Sequence, residues 1–236
     1  MRSLASSLRT LKQHAMSKSP TSNPPSSIVI LVLGQTGAGK SYFINKLLAE
    51  AGSKHHVQVG EQQSSCTSDI TPVTASGLTS KHPTSKGCPL VVVDTPGFDN
   101  TLVSDRDICD RVEVWLTESC RDGTVLGGII YIYDISQDRP SAPARVNSNL
   151  QMLREVLRQP ELMGKVVLVT SKWDRVMCGD LETKEKDLSS KHWAFVVKAG
   201  ARIVRFEAKK EGASARSIVD SLLELLEQPA DTMPLW

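Results

Sequence analysis

The chain has 236 residues, 40% of them hydrophobic, with 28 Lys and Arg against 26 Asp and Glu for a formal charge of +2. That length suits one globular domain with tails and a sizeable core, and a second full domain is not expected. The charges are interspersed, so nucleic acid is not an expected partner, and no apolar run reaches the ~18 residues that span a bilayer.

Residues 1–27 hold Arg2, Arg9, Lys12 and Lys18 with many serines and no acid. Two readings stand for this segment: a flexible tail, which Pro20, Pro24 and Pro25 favour, or an amphipathic mitochondrial presequence with Leu4, Leu8 and Leu11 on one face. Ile28 to Leu33 is an unbroken apolar run, the pattern of a strand buried on both faces. Phe43, Ile44, Leu47, Leu48 and Ala51 then recur at helical spacing. Residues 52–69 are polar and irregular, a long loop of the kind that carries function. Ile70–Leu78 is expected as an edge strand with Pro72 near its start, and Pro89–Val93 as a buried strand pairing antiparallel with it. Ser104 with Asp107 opens a helix whose buried face is Ile108, Val112, Trp115 and Leu116, which places Trp115 in the core. Gly127–Tyr133 is a further buried strand. Val146, Leu150, Leu153 and Leu157 mark a helix stopped by Pro160. A strand at 165–170, a helix around 181–200, a short strand at 202–206 and a last helix with Ile218, Leu222, Leu223 and Leu226 complete the alternation. This order predicts a mostly parallel sheet covered on both faces.

Gly34-Gln35-Thr36-Gly37-Ala38-Gly39-Lys40-Ser41 fits G-x-x-x-x-G-K-[ST] at every fixed position and lies between a strand and a helix, the context that a phosphate-binding loop requires. Its glycines let backbone N–H groups turn toward phosphate oxygens, and the helix N-terminus adds its positive end. Lys40 reaches the β/γ-phosphates, and the Ser41 hydroxyl can bind magnesium. In such folds ligands sit beyond the carboxyl ends of the strands. Asp94 follows one apolar run and is placed to hold magnesium directly or through water, while the Gly97 N–H can donate to a γ-phosphate; Asp-Thr-Pro-Gly also fits a plain turn. Lys172 and Asp174 follow another run. A carboxylate accepts from guanine's ring N–H and exocyclic amino group, whereas adenine presents an acceptor in place of that ring N–H, so Asp174 favours guanine, and the Lys172 stem can lie over the base. Glu207-Ala208-Lys209 offers the Ala208 N–H to the guanine oxygen. Thr67 is the chosen second magnesium hydroxyl, with Thr71 as competitor. The five cysteines, Cys66, Cys88, Cys109, Cys120 and Cys178, form no C-x-x-C pair and no metal-like pairing with histidine, which suggests reduced thiols inside a cell.

Together these residues resemble the Ras-like G domains of the GTPase superfamily. Gly34–Ser41 matches the first motif, Thr67 the second, Asp94–Gly97 the third, Ser171–Asp174 the fourth and Glu207–Lys209 the fifth. The wording of the loop, with Asp-Thr-Pro-Gly-Phe, is similar to the septin-related branch that includes immunity-associated and chloroplast-translocon GTPases, and most of all to fungal G-domain-containing proteins of that type. The resemblance implies a three-layer α/β/α P-loop NTPase fold with a mostly parallel six-stranded sheet and one antiparallel strand. It spans a G domain at 28–227, between the basic tail 1–27 and a C-terminal tail 228–236. It implies GTP or GDP held by Gly34, Gln35, Thr36, Gly37, Ala38, Gly39, Lys40, Ser41, Tyr42, Lys172, Asp174 and Ala208. Magnesium would be held by Ser41, Thr67 and Asp94, and catalysis would involve Lys40, Thr67 and Gly97. Two positions depart from the pattern: Ser171 stands where the fourth motif usually begins with Asn, and Phe98 stands where Ras-like enzymes carry the glutamine that orients water. In the resembling families a hydrophobic residue there accompanies G-domain dimerisation, so a nucleotide-dependent homodimer is expected, with Arg139 as the candidate arginine given in trans.

The leading expectation is therefore a cytoplasmic, magnesium-dependent guanine-nucleotide switch that hydrolyses GTP slowly, with a mitochondrial location as the alternative. A non-hydrolysing guanine-nucleotide scaffold is the second. An ATP-dependent phosphotransferase is the third, and Lys172–Asp174 argues against it.

Overall fold

The computed structural model describes residues 25–58, 69–80, 86–99, 103–121, 123–137, 142–175, 180–207 and 209–226. Six strands form one sheet: β1 Ser27–Gly34, β2 Thr71–Thr79, β3 Pro89–Asp94, β4 Thr124–Asp134, β5 Val166–Ser171 and β6 Arg202–Arg205. Their order is β2-β3-β1-β4-β5-β6, with β1 parallel to both β3 and β4, β4 parallel to β5, and β5 parallel to β6. Only β2 runs antiparallel, against β3 at the edge, where its Pro72 is tolerated. This is the expected α/β/α fold with its mixed sheet.

The apolar runs split by alternation onto the two faces. On one face Ile28, Ile30 and Val32 of β1 pack with Phe43, Ile44 and Leu47 of α1 (Lys40–Glu50) and with Ile218, Val219 and Leu222 of α6 (Glu211–Leu225). On the other, Val29, Leu31 and Leu33 meet α2 (Asp105–Ser119), α3 (Ala142–Leu157), α4 (Leu181–Asp187) and α5 (Ala194–Lys198). The Ser104 cap forms as the sequence indicates, its hydroxyl accepting from the Asp107 N–H at 3.1 Å. Leu157 ends α3, and Pro160 opens a 3₁₀ turn, Pro160–Lys165.

Three local readings need correction. Trp115 is only half-buried and packs on the margin of the core, whereas Ile108, Val112 and Leu116 of the same helix are fully inside. The helix expected around 181–200 is broken by a π turn at Leu188–His192, with the Trp193 N–H bonded to the Leu188 carbonyl at 2.7 Å. That turn carries the Trp193 indole inward, where it meets the Tyr133 ring edge-on at 5.2 Å and donates to the Pro143 carbonyl at 3.2 Å. β4 begins at Thr124, three residues before the expected start, because a register shift opposite Val29/Ile30 takes up Gly127 and lets Thr124–Leu126 pair with Ser27–Val29. Among the described residues no helix is long and apolar enough to cross a membrane.

Candidate functional site

β1 ends at Gly34, whose φ of 144° and position against β4 admit only glycine: a Cβ there would stand 2.2 Å from the Ile132 carbonyl oxygen. The chain then wraps through the loop and enters α1 at Lys40, so the first free N–H groups of the helix point into the loop. Lys40 is buried and its ammonium donates to the Gly34 and Gln35 carbonyls, both at 3.2 Å. Burial lowers its pKa from 10.5 to about 8, an effect that the nearby Asp94 carboxylate partly offsets. The Ser41 hydroxyl donates to Asp94 Oδ2 at 2.6 Å across the gap between the loop and the end of β3. A hydroxyl and a carboxylate oxygen facing each other at the mouth of a phosphate loop form the hard-oxygen set that magnesium takes, so the donors present fit that ion. Thr71 pairs with Asp94 across the β2–β3 ladder and is exposed.

The third motif lies zipped onto the loop. The Phe98 N–H bonds the Gly34 carbonyl at 3.1 Å and the Thr36 N–H bonds the Phe98 carbonyl at 2.8 Å, a parallel bridge between Gln35 and Phe98. Gly97 permits this approach, since a Cβ on it would come within 2.5–2.7 Å of Thr36 side-chain and backbone atoms. The Phe98 ring turns away from the loop into the core, 1% exposed and stacked on Tyr131 at 6.1 Å. Asp99 follows in the left-handed region at φ 59°, a conformation Asp tolerates better than most residues. It gathers three elements: its carboxylate accepts from Gln35 Nε2 at 3.0 Å and pairs with Arg145 of α3, and its N–H donates to Asp105 of α2 at 2.9 Å.

The fourth motif is fastened to the same loop from the other side. Ser171 is buried, and its hydroxyl lies 3.0 Å from the Ala38 carbonyl and 3.2 Å from that of Tyr133. The Lys172 ammonium donates to the Gly37 carbonyl at 2.5 Å and to Asp134 Oδ2 at 2.6 Å, with its backbone at φ 62°. Burial would raise the Asp134 pKa, but Lys172, Ser136 and Gln137 outweigh it and hold the carboxyl below its ordinary value. Asp174 is exposed in the short 3₁₀ turn Trp173–Arg175. Tyr42 is part-exposed on α1, where its hydroxyl pairs with Glu211. The structure thus brings Gly34–Tyr42, Asp94, Gly97 and Lys172–Asp174 to one end of the sheet. Thr67, Ala208 and Arg139 lie outside the described residues, as do residues 1–24 of the basic tail, residue 227 and the C-terminal tail 228–236.

A protein-family model, the AIG1 family, matches residues 28–231. The chain belongs to the AIG1 family. No curated protein matches it. Among solved structures it is similar to a bacterial selenocysteine-specific elongation factor EF-Sec, at 17% identity and TM-score 0.52 over 88% of this chain and 30% of that one. It also matches a GDP-bound Methanosarcina barkeri Roco2 RocCORdC structure at 15% identity and TM-score 0.48, over 94% of this chain and 56% of that one. The AIG1 chain therefore spans about half of the one neighbour and under a third of the other, and at such identities the likeness is one of fold. Family and fold together make this an AIG1-family domain with the Ras-like P-loop NTPase fold.

Three features of the AIG1 chain escaped the sequence reading. Asp134 sits at the carboxyl end of β4, a position the strand-end rule marks for inspection. The Gln35–Asp99–Arg145 chain and the Ser171 link join residues far apart in sequence, and no local pattern announces them.

Proposed function

We propose that residues 28–227 act as a guanine-nucleotide switch that binds GTP, hydrolyses it slowly with magnesium, and signals through G-domain dimerisation or partner recruitment. The observation that carries this reading is the double fastening of the fourth motif to the phosphate loop, Ser171 on the Ala38 carbonyl and Lys172 on the Gly37 carbonyl. It makes the base-reading and phosphate-binding segments one rigid unit. In this reading the loop N–H groups and Lys40 hold the phosphates, the Gly97 N–H meets the γ-phosphate, and Asp174 accepts from the guanine edge. Ser41 and Asp94 would hold magnesium, with Thr67 or Thr71 as the further hydroxyl; when bound, the ion neutralises charge on the β- and γ-phosphate oxygens. Ala208 completes the base contacts.

Slowness follows from Phe98. A ring buried against Tyr131 orients no water, and intrinsic rates of Ras-type domains without a stabilising arginine are only ~10⁻⁴ to 10⁻³ per second. A second copy across the nucleotide face can supply the missing group, with Arg139 as the candidate. The same Phe98 favours a second reading, a scaffold that binds guanine nucleotide without turning it over.

The test has two parts. Nucleotide extracted from purified protein should be GDP or GTP, and adenine nucleotide instead would overturn the guanine reading. Phosphate release per molecule should rise between nanomolar and tens of micromolar protein. A flat rate in a sample that stays monomeric with GTP removes the dimer model, and no turnover at any concentration selects the scaffold.

A further inference from the structure

Four side chains from four elements close a ring around Trp173, the residue that precedes Asp174 in the same turn. Arg205, the last residue of β6, lays its guanidinium over the Trp173 indole with Cζ 3.9 Å from the ring centroid. Its Nε and Nη2 both donate to Glu185 Oε2 of α4, at 2.8 and 2.6 Å. Glu185 Oε1 accepts from the Thr170 hydroxyl of β5 at 2.8 Å. The circuit closes where Trp173 Nε1 donates to the Thr170 carbonyl and hydroxyl oxygens, both at 3.2 Å. Trp173 has its ring held on one face by a cation and at its nitrogen by the strand, so the turn it belongs to has one direction.

A three-residue 3₁₀ turn has little rigidity of its own, and Asp174 within it is exposed. A bidentate contact to a flat base needs its acceptor held to within ~0.5 Å and 10–20°, because hydrogen bonds weaken steeply off line. Ser171 and Lys172 fasten the start of the motif to the phosphate loop, and Trp173, which stands between them and Asp174, is held by its own ring. We propose that Arg205, backed by Glu185, is a positioning residue for base recognition: it locks Trp173 and thereby aims the Asp174 carboxylate at the edge of guanine. This rests on the guanine-nucleotide reading above and adds the residues that set its selectivity. Arg205 forms the outer side of the ring, with 43% of its side chain exposed against 16% for Glu185 and a buried Thr170, so the Arg205 ion pair contributes little to folding and can be removed without unfolding the domain.

The experiment compares the native chain with Arg205→Met, Arg205→Lys and Glu185→Gln, titrated with GDP, inosine diphosphate, which lacks the exocyclic amino group, and inorganic pyrophosphate. The preference for GDP over inosine diphosphate should fall by about tenfold in all three variants. Lysine should not rescue it, since it keeps the charge but loses the planar fork. Pyrophosphate affinity should stay within about twofold of native, and tryptophan emission of the nucleotide-free variants should shift to the red as the indole loses its cover. Folded variants that keep the native GDP preference overturn the proposal. So does an equal loss for GDP and pyrophosphate, which would mark the ring as a general structural support. A native chain that binds no GDP fails the underlying reading instead, a result distinct from both.

Discussion

Nucleotide binding to this loop should take up protons near pH 8, and Lys40 is the reason. The buried ammonium has its pKa lowered from 10.5 to about 8, chiefly by loss of solvent and in spite of Asp94, a difference of about 3 kcal/mol against the charged form. At pH 8 about half of the nucleotide-free protein therefore carries neutral Lys40, and at pH 7 about a tenth. Phosphate oxygens placed against the ammonium favour its charged form and raise its pKa again. Binding should then take up about 0.5 proton at pH 8 and about 0.1 at pH 7. Calorimetric titrations in buffers of different ionisation enthalpy read this directly, and a terminal phosphate titrates about two units lower, so it adds little at pH 8. The nucleotide-free fold carries the matching sign. Between pH 8 and 10.5 the unfolded chain holds more protons than the folded one, so the stability that Lys40 contributes rises with pH across that window. Saturable binding at pH 8 with no dependence of heat on buffer would refute the argument that Lys40 meets the phosphates. Near-native GTP affinity in Lys40→Ala would do the same, because that change removes the only side-chain cation of the loop.

What the sequence made legible was local. The run Ile28–Leu33 has no polar residue to place outside, so a central strand buried on both faces is its natural position, and β1 lies third of six in the sheet. Gly34–Ser41 and Asp94–Gly97 carry their own backbone chemistry, and the structure brings them together at the sheet's end. The less legible parts depend on contacts distant in the chain. Nothing around Leu188 departs from a helical pattern; the π turn there is set by the space between Tyr133 and Pro143 that the Trp193 indole fills. The motif says that Phe98 replaces a glutamine but not where its ring goes; the backbone bridge to Gln35 and the stacking on Tyr131 place it inside. Ser171 lacks the amide of the usual Asn, yet a hydroxyl on a buried strand end reaches the Ala38 carbonyl because β5 and the loop lie close enough, a distance no motif encodes.

Three further outcomes are expected. Asp174→Asn should weaken GTP and shift preference toward xanthosine triphosphate, because an amide donates to the xanthine oxygen that a carboxylate repels; competition by the two nucleotides unchanged from native places base reading elsewhere. Gly97→Ala should cost about 1–3 kcal/mol in urea denaturation, since its methyl would meet Thr36 backbone atoms at 2.6 and 2.7 Å and part the third motif from the loop; an unaltered midpoint would contradict that ladder. Phe98→Gln restores the residue that Ras-like enzymes use, and by sequence alone it should speed hydrolysis. The structure predicts no such gain. The ring is 1% exposed and stacked on Tyr131, so the substitution exchanges buried aromatic surface for a buried amide and should cost about 3 kcal/mol of stability, with no gain in phosphate release at saturating GTP. A variant with native stability and a faster rate would mean that the side chain at 98 turns to face the nucleotide, and the inward packing that underlies the slow-hydrolysis argument would not hold in the bound state.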